Sequence, residues 1–193
     1  MKKINIVLIG GLLGLTGCLT STAPSVSQWN LEYTSSGSPS ARAVSAPGGV
    51  ARIMQMVVRA PYNEVGIGVL RANGSIAFDP FNEYAVTPSQ LLKGVTFDAL
   101  LKSGLFKDVV GAGSLAAASV DVEVIVSRLA LDCRVEGQRR AVAEVCLRLL
   151  TERRITAFVI GRGSADAADG NYGAALSKAV SEAFDEALEM LRK

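Results

Sequence analysis

Val120-Asp121-Val122-Glu123-Val124-Ile125-Val126-Ser127-Arg128-Leu129-Ala130-Leu131-Asp132-Cys133-Arg134 is the stretch that decides the fold. Valines at every second position from Val120 to Val126 match the two-residue period of a strand with one buried face. Beyond Arg128 the apolar phase moves to Leu129, Leu131 and Cys133, and a slip of one residue predicts a β-bulge near Ser127-Arg128. Glu136-Gly137-Gln138 turns the chain, and Arg140 to Thr151 answers with Ala143, Val145, Leu147 and Leu149 on one face. A long hairpin is therefore the expected centre of the molecule. In a regular hairpin that pairs Leu131 with Ala143, Cys133 lies opposite Ala141 and Cys146 points to the other face. That register argues against a disulfide between Cys133 and Cys146; a shifted bulge would favour it.

Working outward, Val50 to Val58 predicts a strand ended by Ala60-Pro61, and Val65 to Arg71 forms a hairpin with Ser75 to Phe78 through the Asn73-Gly74 turn. Thr87-Pro88-Ser89-Gln90 opens a helix as a capping box with proline at the first helical position. Leu91, Leu92, Val95, Leu100 and Leu101 supply its buried stripe and Gly104 ends it. Phe106 to Val110 reads as a short strand and Ile155 to Ile160 as the last one. Gly161 to Asn171 reads as a loop. Leu176, Val180, Phe184, Leu188 and Leu191 then mark one face of a closing helix over 172–191. The expected class is α+β, a mainly antiparallel sheet with two amphipathic helices packed on it.

The N-terminus has a different character. Lys2 and Lys3 precede the apolar run Ile4 to Leu15, and Leu15-Thr16-Gly17-Cys18 closes it. A short basic head, an apolar stretch too short to span a bilayer and small residues before the cut form a secretory signal. Small residues directly before a cysteine resemble the lipobox of bacterial lipoproteins. Residues 1–17 are thus read as a signal peptide, with cleavage before Cys18 and a covalent lipid (a diacylglycerol plus an acyl chain such as palmitate) on that residue. Residues 18–49, rich in Ser, Thr, Ala, Pro and Gly, read as a lipidated tether that holds one short strand near Gln28 to Tyr33. Residues 50–193 read as the periplasmic domain.

The formal charge of +2 falls to zero once Lys2 and Lys3 are removed, because residues 1–17 carry no other charge. Balanced charge gives no electrostatic reason to bind nucleic acid. The chain contains no histidine, which takes away the commonest general base and zinc ligand. Cys133 and Cys146 have no metal-ligand spacing. Gly161-Arg162-Gly163-Ser164 lacks the Gly-Lys-Ser/Thr of a phosphate loop and reads as a plain strand-to-helix connection. Asp166, Asp169 and Asn171 do not have EF-hand spacing. Asp79, Glu83 and Asp98 read as solvated acids, and the pairs Arg139-Arg140 and Arg153-Arg154 as guards of strand ends. No enzyme, cofactor or metal is expected.

Tyr84-Ala85-Val86-Thr87-Pro88, stepping into the capped helix, and Leu101-Lys102-Ser103-Gly104-Leu105-Phe106-Lys107-Asp108-Val109-Val110 follow the lipobox and the proline-ended strand in a recognisable order. Over Gln28 to Leu191 the chain resembles the ABC-type transport auxiliary lipoprotein family. Tyr84 stands where many members carry a tryptophan. The resemblance implies a non-enzymatic partner of an MCE-type phospholipid transport system, anchored on the periplasmic face of the outer membrane, where it docks the MCE protein. Leu19 after the lipidated cysteine agrees with outer-membrane sorting. Exposed apolar or aromatic groups near Phe81 and Tyr84, or the hairpin around Gly137, are the candidate partner contacts, with Tyr84 itself read first as a buried staple at the helix entrance, and a homo-oligomer is compatible with the family. The competing reading is an envelope assembly or regulatory lipoprotein that binds a cell-wall synthase or an outer-membrane β-barrel.

Overall fold

The computed structural model describes residues 25–34 and 49–193. The signal peptide, Cys18 and most of the tether therefore lie outside the described residues. Eight strands and two helices follow in the order β1 (Ser27–Trp29), β2 (Val50–Val58), β3 (Gly66–Arg71), β4 (Ile76–Tyr84), α1 (Pro88–Lys102), β5 (Asp108–Gly111), β6 (Val120–Cys133), β7 (Arg140–Thr151), β8 (Arg154–Asp166) and α2 (Tyr172–Leu191). The fold is α+β, built on one mixed sheet.

β6 is the spine. One of its edges carries β7 along almost its whole length, antiparallel, and β8 continues outward on β7. The other edge is shared. β2 runs parallel to the first half, from Ala51 against Val120 to Val58 against Val126, and β3 runs parallel to the end, from Val69 against Leu131. The expected bulge lies between Val126 and Arg128, where the sheet forks. One arm of the fork ends in β5 beside β2; the other passes through β4 to β1.

Four of the seven strand pairings are parallel, so the sheet is not the mainly antiparallel one expected. Local turn signals reveal hairpins: β3–β4 and β6–β7 pair as the sequence suggests, and β8 adds a third antiparallel pairing on β7. Parallel neighbours are brought together by crossovers that leave no local mark.

Both helices pack on one face of the sheet, α2 over β7 and β8, and α1 over β2 and β5. Val122, Val124, Val126, Leu129 and Leu131 of β6 are buried, as are Leu176, Val180 and Phe184 of α2. In α1 the buried set is Leu92, Val95, Thr96, Ala99 and Leu100, whereas Leu101 is exposed. Thr87 makes no side-chain cap. The donor at Ser89 N is met instead by Asn63 Oδ1 at 3.0 Å, from the β2–β3 connection. Tertiary structure thus replaces the expected capping box.

β8 also runs further than expected, through Gly161–Ser164 to Asp166, so the glycines lie inside a strand rather than a loop. A Cβ on Gly161 would stand 1.9 Å from the Ala183 carbonyl oxygen, and one on Gly163 2.0 Å from that of Ala179. The glycines are there because the backbone of α2 rests directly on the strand. The loop shrinks to 167–171, where Asp169 Oδ1 accepts from Asn171 N at 3.0 Å and Asn171 Oδ1 caps α2 at Ala174 N.

Candidate interaction surface

The segment before β2 is built into the fold. β1 lies parallel to the end of β4, with Ser27 beside Asn82 and Trp29 beside Tyr84. Beyond it the chain follows α2: Leu31 and Tyr33 are buried, and the amides of Glu32 and Thr34 donate to Ser177 Oγ (3.1 Å) and Ser181 Oγ (2.9 Å). The match is geometric. Two residues of extended chain advance about 6.8 Å and four residues of helix about 6 Å, so alternate amides meet serines one turn apart. The Trp29 ring closes the segment over Gly173, where a Cβ would come within 2.6 Å of it. We call residues 27–34 the strap. A groove of about 490 Å³ runs beside it, lined by Asn30, Leu31, Tyr33, Leu91 and Asp98 among others.

The strap rests on a bulge in β4. Gly66 pairs with Glu83 but Gly68 pairs with Phe78, so Ile67 alone faces Asp79-Pro80-Phe81-Asn82. Asp79 Oδ1 braces the bulge by accepting from Phe81 N (2.9 Å) and Asn82 Nδ2 (3.0 Å). Asn82 Oδ1 in turn accepts from Trp29 Nε1 at 2.9 Å. Phe81 is left 50% exposed on top of it.

Of the two aromatic candidates, Phe81 is thus available to a partner. Tyr84 is not: it is 1% exposed, and its hydroxyl has no hydrogen-bond partner. Burial pushes its phenol well above the ordinary tyrosine range. An aromatic that closes β4 against the core cannot also be a contact surface. The two cysteines are free thiols, Cys146 opposite Ile125 and Cys133 beyond the Asp132–Arg140 pair. The hairpin register between turn and bulge differs by two residues from the regular one, pairing Leu131 with Ala141, and the bulge between Val126 and Arg128 shifts it by one more beyond.

The sheet face away from the helices carries ordered rows across the strands. Val57, Ile125, Cys146 and Ile160 form an apolar one. Beside it Glu123 pairs with Arg148 (3.6 Å), whose guanidinium stacks over Phe158. On the other side Glu144 accepts from Ser127 Oγ (2.5 Å) and Arg162 Nε (2.8 Å), and these bonds hold its carboxyl below the usual carboxylate range. Arg128, Glu144, Arg162 and Glu182 line a shallow groove of about 260 Å³.

The free edge of β8 is partly occupied. Ser164 N donates to Glu182 Oε2 at 3.1 Å and Arg162 N to Glu186, so two carboxylates one turn apart on α2 take up edge amides. The rest of that edge carries the exposed Ile155 and Phe158. Sequence reasoning missed this guard and the β4 bulge, and it placed a short strand near Gln28 to Tyr33 without its seat on β4 and α2. Glu182 and Glu186 at i and i+4 carry no local signal that sets them apart from a solvated helix face, and the strand read from Ser75 extends only as far as Phe78.

The other candidate groups lie apart. Asp98 pairs with Lys102 on α1, Glu83 accepts from Gln28, and Asp166 Oδ1 accepts from Ala168 N. Among the described residues no three His, Cys, Asp or Glu side chains converge as a metal site. No described helix is long and apolar enough to cross a membrane.

The architecture places the chain among α+β proteins of one recognisable fold. Protein XCC0632 from Xanthomonas campestris, of the DUF330 family, superposes with a TM-score of 0.64 at 15% identity, over 86% of this chain and 92% of that one. At that identity the likeness shows the fold alone. A PelC dodecamer subunit from Paraburkholderia phytofirmans gives a TM-score of 0.41 at 12% identity, over 74% and 91% of the two chains. A Caulobacter crescentus protein named as a candidate lipoprotein gives 0.33 at 19%, over 52% and 75%. Scores this low carry no argument about this chain. No family profile matches the sequence, and no curated protein does.

Proposed function

We propose that this chain is a lipoprotein of the bacterial envelope, held through a lipid on Cys18, and a non-enzymatic accessory component of an ABC/MCE-type phospholipid transport system that docks the MCE protein at the outer membrane. The observation that carries the reading is the succession of the Leu15-Thr16-Gly17-Cys18 lipobox, the Tyr84-to-Pro88 step and the Leu101-to-Val110 segment. The fold gives the second and third of those segments structural work. Tyr84 closes β4 just before α1, and Gly104, at φ +69°, turns α1 toward β5. A chain without histidine, in which Asp79, Glu83, Asp98, Glu144 and Asp166 are each held in a hydrogen bond or ion pair, fits a partner-binding role better than catalysis. Docking contacts are assigned to the exposed apolar groups Val135, beside the β6–β7 turn, and Ile155 and Phe158 of β8. Self-association through the open part of the β8 edge is the reading of the homo-oligomer.

The test is to purify the mature protein with a C-terminal tag, mix it with the periplasmic part of the MCE protein encoded beside it, and measure complex mass. A complex of defined mass supports docking. Two folded proteins that stay apart at tens of micromolar, well above a micromolar Kd, overturn it and put an envelope assembly role in its place.

A further inference from the structure

Resting on the lipoprotein reading, we propose that the β4 bulge, with Val26, Pro80 and Phe81, sits in the headgroup layer of the membrane that holds the lipid of Cys18. β1 and β4 are parallel and Ser27 stands beside Asn82. The chain before Ser27 therefore leaves the fold past Phe81 and Pro80. Only six residues lie between Cys18 and Ser25, and fully extended the seven Cα-to-Cα steps span at most about 25 Å. The apparent tether of 18–49 is thus cut short, because the strap is pinned to α2 by the Ser177 and Ser181 bonds and to β4 through Trp29 and Asn82. The lipid cannot hold the domain at arm's length: the end that carries the bulge is drawn to the bilayer.

That end has the chemistry of an interfacial contact. Val26 is 48% and Phe81 50% exposed, side by side at the start of the β1–β4 pair. The Asp79 bonds fix Phe81 outward, so little ordering remains to oppose its insertion. Neither 25–34 nor 76–86 contains a lysine or arginine. The contact is therefore apolar and does not depend on anionic lipid, unlike a polybasic surface.

The experiment uses the full chain isolated from cell membranes, with the lipid on Cys18 verified by mass spectrometry, in phosphatidylcholine vesicles with and without brominated acyl chains. Phe81→Trp adds an emitter on the bulge. Phe158→Trp adds one on β8, at the opposite edge of the sheet, and the natural emission of Trp29 is subtracted from both. Circular dichroism checks that each variant keeps the fold. Quenching by brominated lipid about twofold stronger at position 81 than at 158 is expected for a side chain in the interface, and unchanged with added anionic lipid. Equal or weaker quenching at 81 in acylated protein overturns the proposal while leaving the lipoprotein reading intact. Protein that reaches membranes without lipid on Cys18 overturns both.

Discussion

At Gly163 a methyl group has nowhere to go, because the atoms it would meet are the Ala179 carbonyl oxygen at 2.0 Å and the Ala183 amide nitrogen at 2.7 Å, both in the backbone of α2. Gly163→Ala must lift the helix off β8, and we expect a loss of about 3 kcal/mol in urea unfolding. Tyr84 presents the opposite case. Its hydroxyl is buried without a partner, so Tyr84→Phe removes a polar group that costs stability where it stands. A gain of about 1 kcal/mol is expected, with MCE binding unchanged because the side chain is not at the surface. Glu144 supplies a pH signature. Ser127 first, then Arg162, lowers its pKa in the folded state, so its contribution is present above the unfolded carboxylate value and is lost as pH falls through the folded one. Ser127→Ala should therefore be less stable than the parent at pH 7, with the gap narrowing as pH falls below the ordinary carboxylate range and the folded-state carboxylate takes up its proton.

Among the elements, the β8 edge shows best what a local reading can and cannot reach. Glu182 and Glu186 lie on α2 in a pattern that any solvated helix face shares, yet they accept from Ser164 N and Arg162 N across the helix–strand contact. Replacing both by alanine frees two amides on an unpaired edge. The fold should lose little, since water can reach the freed amides, but sedimentation velocity should show concentration-dependent association stronger than the parent's. Equal sedimentation of parent and variant would refute a guarding role. The hairpin of β6 and β7, its bulge and the extent of α2 were legible because each is written in a local period: alternation, a slip of phase, and apolar positions three or four apart. The fork was not. Nothing in Val50–Val58 or Gly66–Arg71 states that both run parallel on one edge of β6, since that pairing is decided by crossovers far away in sequence. The glycines of β8 misled for a related reason. Gly161 and Gly163 look like loop residues until the helix that needs their missing side chains is in place.

For the whole molecule, the question is where the folded unit begins, since composition alone places that boundary at Val50. The strap contradicts it physically: Leu31 and Tyr33 belong to the same buried cluster as Leu176 and Phe184, with Trp29 packed against it. A chain beginning at Ser25 keeps every one of these contacts and should melt at the temperature of the full protein. A chain beginning at Gly49 uncovers the part of the core that Leu31 and Tyr33 complete and leaves the side chains of Ser177 and Ser181 without the strap amides. Burial of two to three large side chains is worth about 2 kcal/mol each, and the entropy of ordering eight residues offsets much of it. A net loss on the order of 3 kcal/mol follows, which for a domain of this size lowers Tm by roughly 6–12 °C. Calorimetry on the two truncations decides the matter. Equal Tm values would mean the strap rides on a finished core. A lower value for the shorter chain would mean that the same residues that finish the core also fix, through their short link to Cys18, which side of the protein meets the membrane.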